Sequence, residues 1–157
     1  MTRAGKRLHQ KRLSSPTSWP VARKGYKFVP KISAGAHSKE FGMPVTVLLR
    51  DVLGVAKTAK EAKFIVNSQA LMIDGKVRNR ERSPVGHMDI VEFDGTDIRY
   101  RVQIHSSNKL IAKSITKREA AYKIAQVTGK RNLRGGKTQI SLHDGRNILL
   151  ENTDKQV

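Results

Sequence analysis

Basic and aromatic side chains are interleaved in the first 42 residues, and together they could bind a polyanion. This stretch carries ten Lys or Arg residues against one acid, Glu40. Four of its side chains are aromatic: Trp19, Tyr26, Phe28 and Phe41. Cations neutralise phosphates, and aromatic rings stack on unpaired bases. RNA is the ligand that this combination favours.

Residues 1–42, the arm, show neither helical nor strand periodicity. A segment this charged buries too little apolar surface to offset the entropy lost on ordering. We therefore expect an extended arm that becomes ordered on RNA. Trp19 and Phe28 have two possible roles, stacking on bases or docking on the protein's own core, and the sequence alone favours neither. An Arg- and Ser-rich start also occurs in organelle transit peptides, but this arm is not amphipathic.

The balance of charge changes again at residue 98. Residues 43–98 hold eight basic and eight acidic side chains, whereas residues 99–157 hold thirteen and four, within a chain of net charge +18. Binding through phosphate neutralisation should weaken steeply with salt. An anionic membrane surface would attract the same charge. However, no apolar run approaches the roughly 18 residues needed to span a bilayer, so we predict no membrane partner.

Carboxylate and imidazole groups show no spacing typical of a catalytic or metal site. A catalytic Asp needs a pocket, whereas Asp74 is explained by a hairpin turn and Asp89 by the start of a strand. The chain lacks cysteine, which excludes disulfides, thiolate nucleophiles and cysteine zinc sites. No two histidines have the spacing of a zinc-binding helix. We predict no enzymatic activity, cofactor, metal or small-molecule substrate. The histidines are His9, His37, His87, His105 and His143.

The segment that follows the arm predicts two short helices. After Pro44, apolar residues recur with helical spacing from Val45 to Leu53, and Gly54 supplies the stop. Thr58 and Glu61 have the spacing of a capping box, which begins the second helix. Lysines recur every third residue of that helix and form one side of it. These lysines are Lys57, Lys60 and Lys63.

A hairpin is predicted next, with strands at Leu71–Ile73 and Lys76–Arg78 joined by Asp74-Gly75. Asp-Gly favours a type I′ turn, in which both central residues need positive φ. The hairpin and helix geometry places six cations near one side, which we define as the basic edge. Its members are Arg50, Lys57, Lys60, Lys63, Lys76 and Arg78. A solvated charged face is the alternative interpretation.

The rest of the chain predicts mainly antiparallel strands. A strand from Met88 to Phe93 is followed by Ile98–His105, whose alternation places Arg99 and Arg101 on an outer face. A second capping box, Thr116 to Glu119, predicts a brief helix through Tyr122. Further strands are expected near 110–113, 123–127, 139–142 and 147–150. A flexible cationic loop is expected at 128–137.

The two helices and the hairpin resemble the small RNA-binding domain first known from ribosomal small-subunit protein S-four. The resemblance rests on Leu48-Leu-Arg50, Leu71-Met-Ile-Asp-Gly-Lys76 and Gly86-His-Met-Asp-Ile-Val91. The flanks are more specific. Leu8-His-Gln-Lys-Arg12 and His143-Asp-Gly-Arg146 resemble the archaeal and eukaryotic ribosomal protein family S-four-e.

That resemblance implies an α+β fold in three parts: an extended basic arm at 1–42, an S-four-like helix-turn-helix and hairpin module at 43–98, and a β-rich central domain at 99–157. It implies a structural constituent of the small ribosomal subunit that binds and shapes small-subunit ribosomal RNA beside neighbouring ribosomal proteins, in cytoplasmic ribosomes. The family continues into a barrel-like third domain, whereas this sequence stops at Val157. We therefore expect a shortened relative or a fragment, with an incomplete central domain.

Two other functions share some of these features. Pseudouridine synthases and some synthetases carry the same small module, but they need an additional catalytic domain. A helix-turn-helix DNA reader would concentrate its cations on one recognition helix, whereas here they are spread over arm, helix and hairpin. The candidate RNA-binding residues are Arg3, Lys6, Arg7, His9, Lys11, Arg12, Trp19, Arg23, Lys24, Lys27, Lys31, His37, Lys39, Arg50, Lys57, Lys60, Lys63, Lys76, Arg78, Arg80, Arg82, Lys130, Arg131, Arg134 and Lys137.

Overall fold

A five-stranded antiparallel sheet forms the centre of the molecule. The structure is a computed structural model that describes residues 9–150. Its strands are β4 Leu71–Ile73, β5 Lys76–Val77, β7 Ile90–Phe93, β8 Arg99–Ile104 and β9 Leu110–Ile115. They lie in the order β5-β4-β7-β8-β9 and come from both sides of residue 98, so the change in charge there is not a boundary of the sheet.

The first predicted helix, at residues 45–53, is present but irregular. Helix α1, Val45–Val47, continues directly as a π-helix, Leu48–Val52. Its apolar face is buried as the spacing predicts, and Gly54 ends it with a φ of 66°. These residues are therefore not two regular turns of α-helix before the next element.

Helix α2, Ala59–Asn67, begins at the predicted cap. The Thr58 hydroxyl accepts a hydrogen bond from the Glu61 amide at 3.2 Å, and the Glu61 carboxylate accepts one from the Lys57 amide at 2.7 Å. The hydrogen bond to the Glu61 carboxylate therefore comes from the amide of Lys57, the residue before the cap, rather than from Thr58 itself. Ala62 and Val66 are buried against the core, which confirms the buried side of this helix.

The described part of the arm, residues 9–42, lies on the body of the protein. Strands β1, Gln10–Lys11, and β2, Phe28–Val29, pair with each other. Trp19 is only 2% exposed, and its indole N–H donates to the Gly42 carbonyl at 2.8 Å. The expectation of an arm without packed structure is wrong for these residues, because Trp19 and Val29 anchor it in the core. Phe28, in contrast, is half exposed.

The end of the arm is also tied to the body by backbone pairing. Strand β3, Gly42–Pro44, pairs with β6, Pro84–Gly86. The Ser33 amide and hydroxyl both donate to the Arg82 carbonyl, at 2.9 and 2.8 Å. The arm thus runs beside the segment that follows the hairpin.

Strand β8 does not have the basic outer face that its alternation predicts. Arg101 is only 7% exposed, and its guanidinium donates to the carbonyls of Glu119 and Tyr122 at 2.6 and 2.7 Å. The short helix α3, Lys117–Ala120, begins at the predicted capping box, and the segment it starts covers this face. Ile98 and Ile104, which the same alternation places on the opposite, inner face, are exposed.

A second, three-stranded antiparallel sheet replaces the predicted loop at 128–137. It contains β10 Val127–Asn132, β11 Thr138–Leu142 and β12 Asn147–Leu150. The chain reverses at Gly135 and Gly136, both with positive φ, so only the tip of the predicted loop is a turn. The strand expected at 123–127 begins only at Val127. Within residues 9–150, no helix is long and apolar enough to cross a membrane.

Candidate nucleic-acid interface

The lysines of helix α2 and of the residues just before it present an exposed cationic surface within the basic edge. Lys57, Lys60 and Lys63 are all exposed. Lys63 lies 4.0 Å from Glu81, which puts this helix beside the segment after the hairpin. Phe64, on the same helix, is 74% exposed. An exposed ring among cations could stack on a base, but Phe64 fits no motif by which the sequence alone would indicate this role.

The hairpin carries the rest of the basic edge and its extension. Asp74 and Gly75 have φ values of 51° and 71°, which confirms the predicted turn. This turn holds Lys76 in the solvent, whereas Arg78 is half buried. Arg80 and Arg82 follow in exposed positions.

Arg50 differs from the other members of the basic edge. Its guanidinium donates two hydrogen bonds to the Asp51 carboxylate, at 3.2 and 2.7 Å. Bidentate pairing of this kind holds the guanidinium in one geometry and neutralises its charge. Phosphate binding by Arg50 stays a prediction, in competition with this pair.

The arm divides its candidates between the surface and the interior. Arg12 is buried and donates to the Ala22 carbonyl at 2.9 Å, and Trp19 is buried as described above. Lys31 is half buried, and Arg3, Lys6 and Arg7 lie outside the described residues. The exposed candidates are His9, Lys11, Arg23, Lys24, Lys27 and Lys39.

The cations predicted on a loop lie on the second sheet. Lys130 and Arg131 belong to β10 and pair across it with Ile140 and Gln139. Because neighbouring residues of a strand point to opposite faces, these two side chains lie on opposite faces of the sheet. Arg134 and Lys137 lie in and after the turn, and all four are exposed.

A largely buried group of charges, the ionic cluster, joins the three parts of the chain. It consists of Lys123, Arg146, Asp74, Asp89, Asp144 and His37. The Lys123 ammonium donates to Asp89 at 2.6 Å and to Asp74 at 2.8 Å, and it lies 3.2 Å from Asp144. Arg146 forms ion pairs with Asp74 and Asp144. The arm takes part through His37, whose Nε2 lies 2.8 Å from Asp89.

Asp89 is the most strongly perturbed acid of the cluster. Its burial opposes ionisation, but the hydrogen bonds and charges of His37 and Lys123 outweigh burial and lower the pKa of Asp89 to about 2. Burial likewise opposes the charge of Lys123, and the bonds to Asp74 and Asp89 outweigh it and raise the pKa of Lys123. The partners of opposite charge thus favour the charged forms of Asp89 and Lys123 despite their burial.

The ionic cluster was not predicted from the sequence. Asp74 and Asp89 each have a local role, in the hairpin turn and at the start of β7. Because these roles explain both residues, nothing in the sequence pointed to Lys123 as their common ion-pair partner. His37, proposed as an RNA ligand, is buried in the cluster. Its members are separated by up to about a hundred residues, so no spacing rule connects them. Each carboxylate is paired with a cation, which suits an architectural role better than proton transfer.

Two family models match the chain at its two ends. The model described as Ribosomal family S4e matches residues 96–157, and the RS4NT (NUC023) domain matches residues 4–40. The small ribosomal subunit protein eS4 of Methanopyrus kandleri is 40% identical over 153 residues, covering 97% of this chain and 59% of the relative. The chain belongs to the ribosomal family S4e.

Other S4e proteins agree with this assignment. The small ribosomal subunit protein eS4 of Methanosphaera stadtmanae is 36% identical, covering 99% of this chain and 64% of the relative. The crystal structure of the 30S ribosomal protein S4e from Thermoplasma acidophilum matches with a TM-score of 0.60 and 28% identity, covering 74% of this chain and 59% of that one. The fold is thus α+β and S4e-like. The chain spans about three fifths of the length of these S4e relatives.

Proposed function

We propose that the chain is a structural constituent of the small ribosomal subunit that binds and shapes small-subunit ribosomal RNA. The observation that carries this proposal is the 40% identity, over nearly the whole chain, to a protein named for the small ribosomal subunit. Its partners are ribosomal RNA and neighbouring ribosomal proteins, in cytoplasmic ribosomes. The role is structural, with no catalysis, cofactor or small-molecule substrate.

The distribution of exposed charge supports RNA as the partner. Helix α2 and the hairpin both carry exposed cations, and Lys63 of the helix lies 4.0 Å from Glu81, in the segment that follows the hairpin. A surface of this kind binds phosphates through counterion release and needs no specific sequence. We infer that residues 43–98 act as the S-four-like RNA-binding module, and that the exposed cations of the arm and of the β10–β11 hairpin extend its contacts.

The ionic cluster supports a mechanism in which the binding surface is fixed before RNA arrives. His37 belongs to the arm, Asp74 and Asp89 to the module, and Lys123 and Arg146 to the remainder of the chain. Their mutual bonds hold these three parts in one arrangement. Ordering a residue costs about 1–2 kcal/mol, so parts that are already ordered leave more of the contact energy for binding.

Sedimentation of the full chain with purified small-subunit ribosomal RNA and with small subunits lacking their own S4e protein tests the proposal. The expected result is saturable, stoichiometric co-sedimentation with both, which weakens as salt is raised. A protein that stays in the soluble fraction at low salt, or one that modifies the RNA with turnover, would contradict the proposal.

A further inference from the structure

A cleft of about 420 Å³ lies between the arm, the β4–β5 hairpin and the turn after β11. The arm contributes Ser33–Ala36, whose small side chains leave the space open. Gly35 allows this wall to pack closely on Pro84, since a Cβ atom there would lie 2.4 Å from the Pro84 ring. Clefts that hold small organic groups commonly have volumes of about 300–1,000 Å³. The cleft is therefore large enough for one nucleotide.

The rim of the cleft carries cations without anionic partners. Lys76, Arg78 and Arg80 line it, and none of them forms an ion pair with a residue in 9–150. Arg78 is half buried, and its Nε atom is buried without a hydrogen-bond acceptor. A partly desolvated guanidinium without a counterion is unfavourable. An anion such as a phosphate would complete this rim.

The floor of the cleft has the opposite character. Asp144 lines it and is 5% exposed. Its Oδ2 atom forms ion pairs with the Lys123 ammonium at 3.2 Å and with Arg146 at 3.4 Å, but neither contact has hydrogen-bond geometry, so the oxygen keeps a lone pair for a further donor. A buried carboxylate oxygen that can accept a further hydrogen bond favours a ligand with a hydroxyl or amino donor.

The cationic rim can bind an anion, and Asp144 on the floor can accept a hydrogen bond. These two properties match the two ends of a nucleotide, which has a phosphate at one end and ribose and base donors at the other. A simple anion would satisfy the rim only. The geometry points to a site for one unpaired nucleotide of RNA, with its phosphate at Arg78 and Arg80 and its donor groups toward Asp144. This inference rests on the proposed binding of RNA and adds a defined subsite to it.

The test compares RNA hairpins that carry a single bulged A, C, G or U with a fully paired hairpin of the same stem. The wild-type chain should bind at least one bulged hairpin about tenfold more tightly than the paired one, the factor expected from one stacked or hydrogen-bonded base. Ala34→Phe fills the exposed wall without changing charge, and it should remove that preference while retaining binding to the paired hairpin. Ala22→Phe, at an exposed position outside the cleft, should retain the preference.

Arg78→Gln should also reduce the preference, whereas Arg118→Gln, at an exposed arginine outside the cleft, should not. Amide spectra of each variant identify any that fail to fold. Equal binding of all bulged and paired hairpins, or an unchanged preference in Ala34→Phe, would overturn the subsite while leaving RNA binding intact. Failure to bind even the paired hairpin at low salt would instead count against the proposed function itself.

Discussion

Lys60 and Lys123 carry the same charge in opposite surroundings. Lys60 lies exposed on helix α2, and its ammonium has no ion-pair partner among residues 9–150. Lys123 lies among three carboxylates from two distant parts of the chain. A lysine that is already paired contributes to the fold, whereas an unpaired exposed lysine keeps its charge available for a phosphate. The surroundings of each cation, rather than its type, therefore separate the architecture of this chain from its proposed interface.

The largest effect should follow from removing the central cation of the ionic cluster. Lys123→Met leaves Asp74, Asp89 and Asp144 in a buried site with much less compensation. Breaking a buried ion pair from one side costs roughly 3–5 kcal/mol. Urea denaturation at pH 7 measures this loss. Lys109→Met, at an exposed lysine, should change the free energy of unfolding by less than about 0.5 kcal/mol, and equal stability of the two variants would contradict the assignment of Lys123.

A loss of similar size is expected in the arm. Trp19→Ala removes a buried indole and two hydrogen bonds, to the carbonyls of Gly42 and Lys39. Replacing a buried aromatic with alanine costs roughly 3–5 kcal/mol. Phe28→Ala, at a half-exposed aromatic of the same arm, should cost far less. Limited trypsin digestion without RNA provides a second readout: an arm that is cleaved as rapidly in the wild type as in Trp19→Ala would restore the idea of a free tether.

A smaller effect should appear as a dependence of stability on pH. The pKa of Asp89 falls from 3.8 to about 2 on folding, so its ionisation stabilises the fold above pH 4, and this contribution is lost as the pH falls from about 4 to 2. The linked free energy is roughly 2 kcal/mol. Asp89→Asn should therefore lose about that stability at pH 7. The difference from wild type should shrink toward pH 2, and a difference independent of pH would contradict the ionised state of Asp89.

Local patterns predicted much of the fold. The two caps at Thr58 and Thr116, the Asp74-Gly75 turn and the stop at Gly54 were confirmed because each depends on residues close in sequence. The family resemblance, carried by short motifs, was confirmed as well. Element type could be predicted wherever periodicity and turn residues agreed.

Long-range packing was less predictable. Arg101 belongs to a strict alternation of apolar and polar residues, yet the segment that begins with α3 buries it. No local sequence pattern predicts this burial. The cationic connector looked like a loop because it contains three glycines, whereas its first half, which includes Gly129, forms an exposed strand. Trp19 could be assigned to the core only once Gly42 and Lys39 were known to lie beside it. The ionic cluster depends entirely on such contacts, which explains why the sequence did not reveal it.

We propose that the exposed lysines of the basic edge bind RNA without supporting the fold. The salt dependence of binding to a small-subunit ribosomal RNA fragment tests it directly for a variant with Lys57, Lys60, Lys63 and Lys76 changed to Gln. Its slope of log affinity against log salt should fall by about three to four units, while its free energy of unfolding changes by less than about 0.5 kcal/mol per site. A matched variant with Lys109, Lys113, Lys117 and Arg118 changed to Gln should keep most of the slope. Equal slopes for the two variants would contradict the claim and leave the basic edge as a solvated surface.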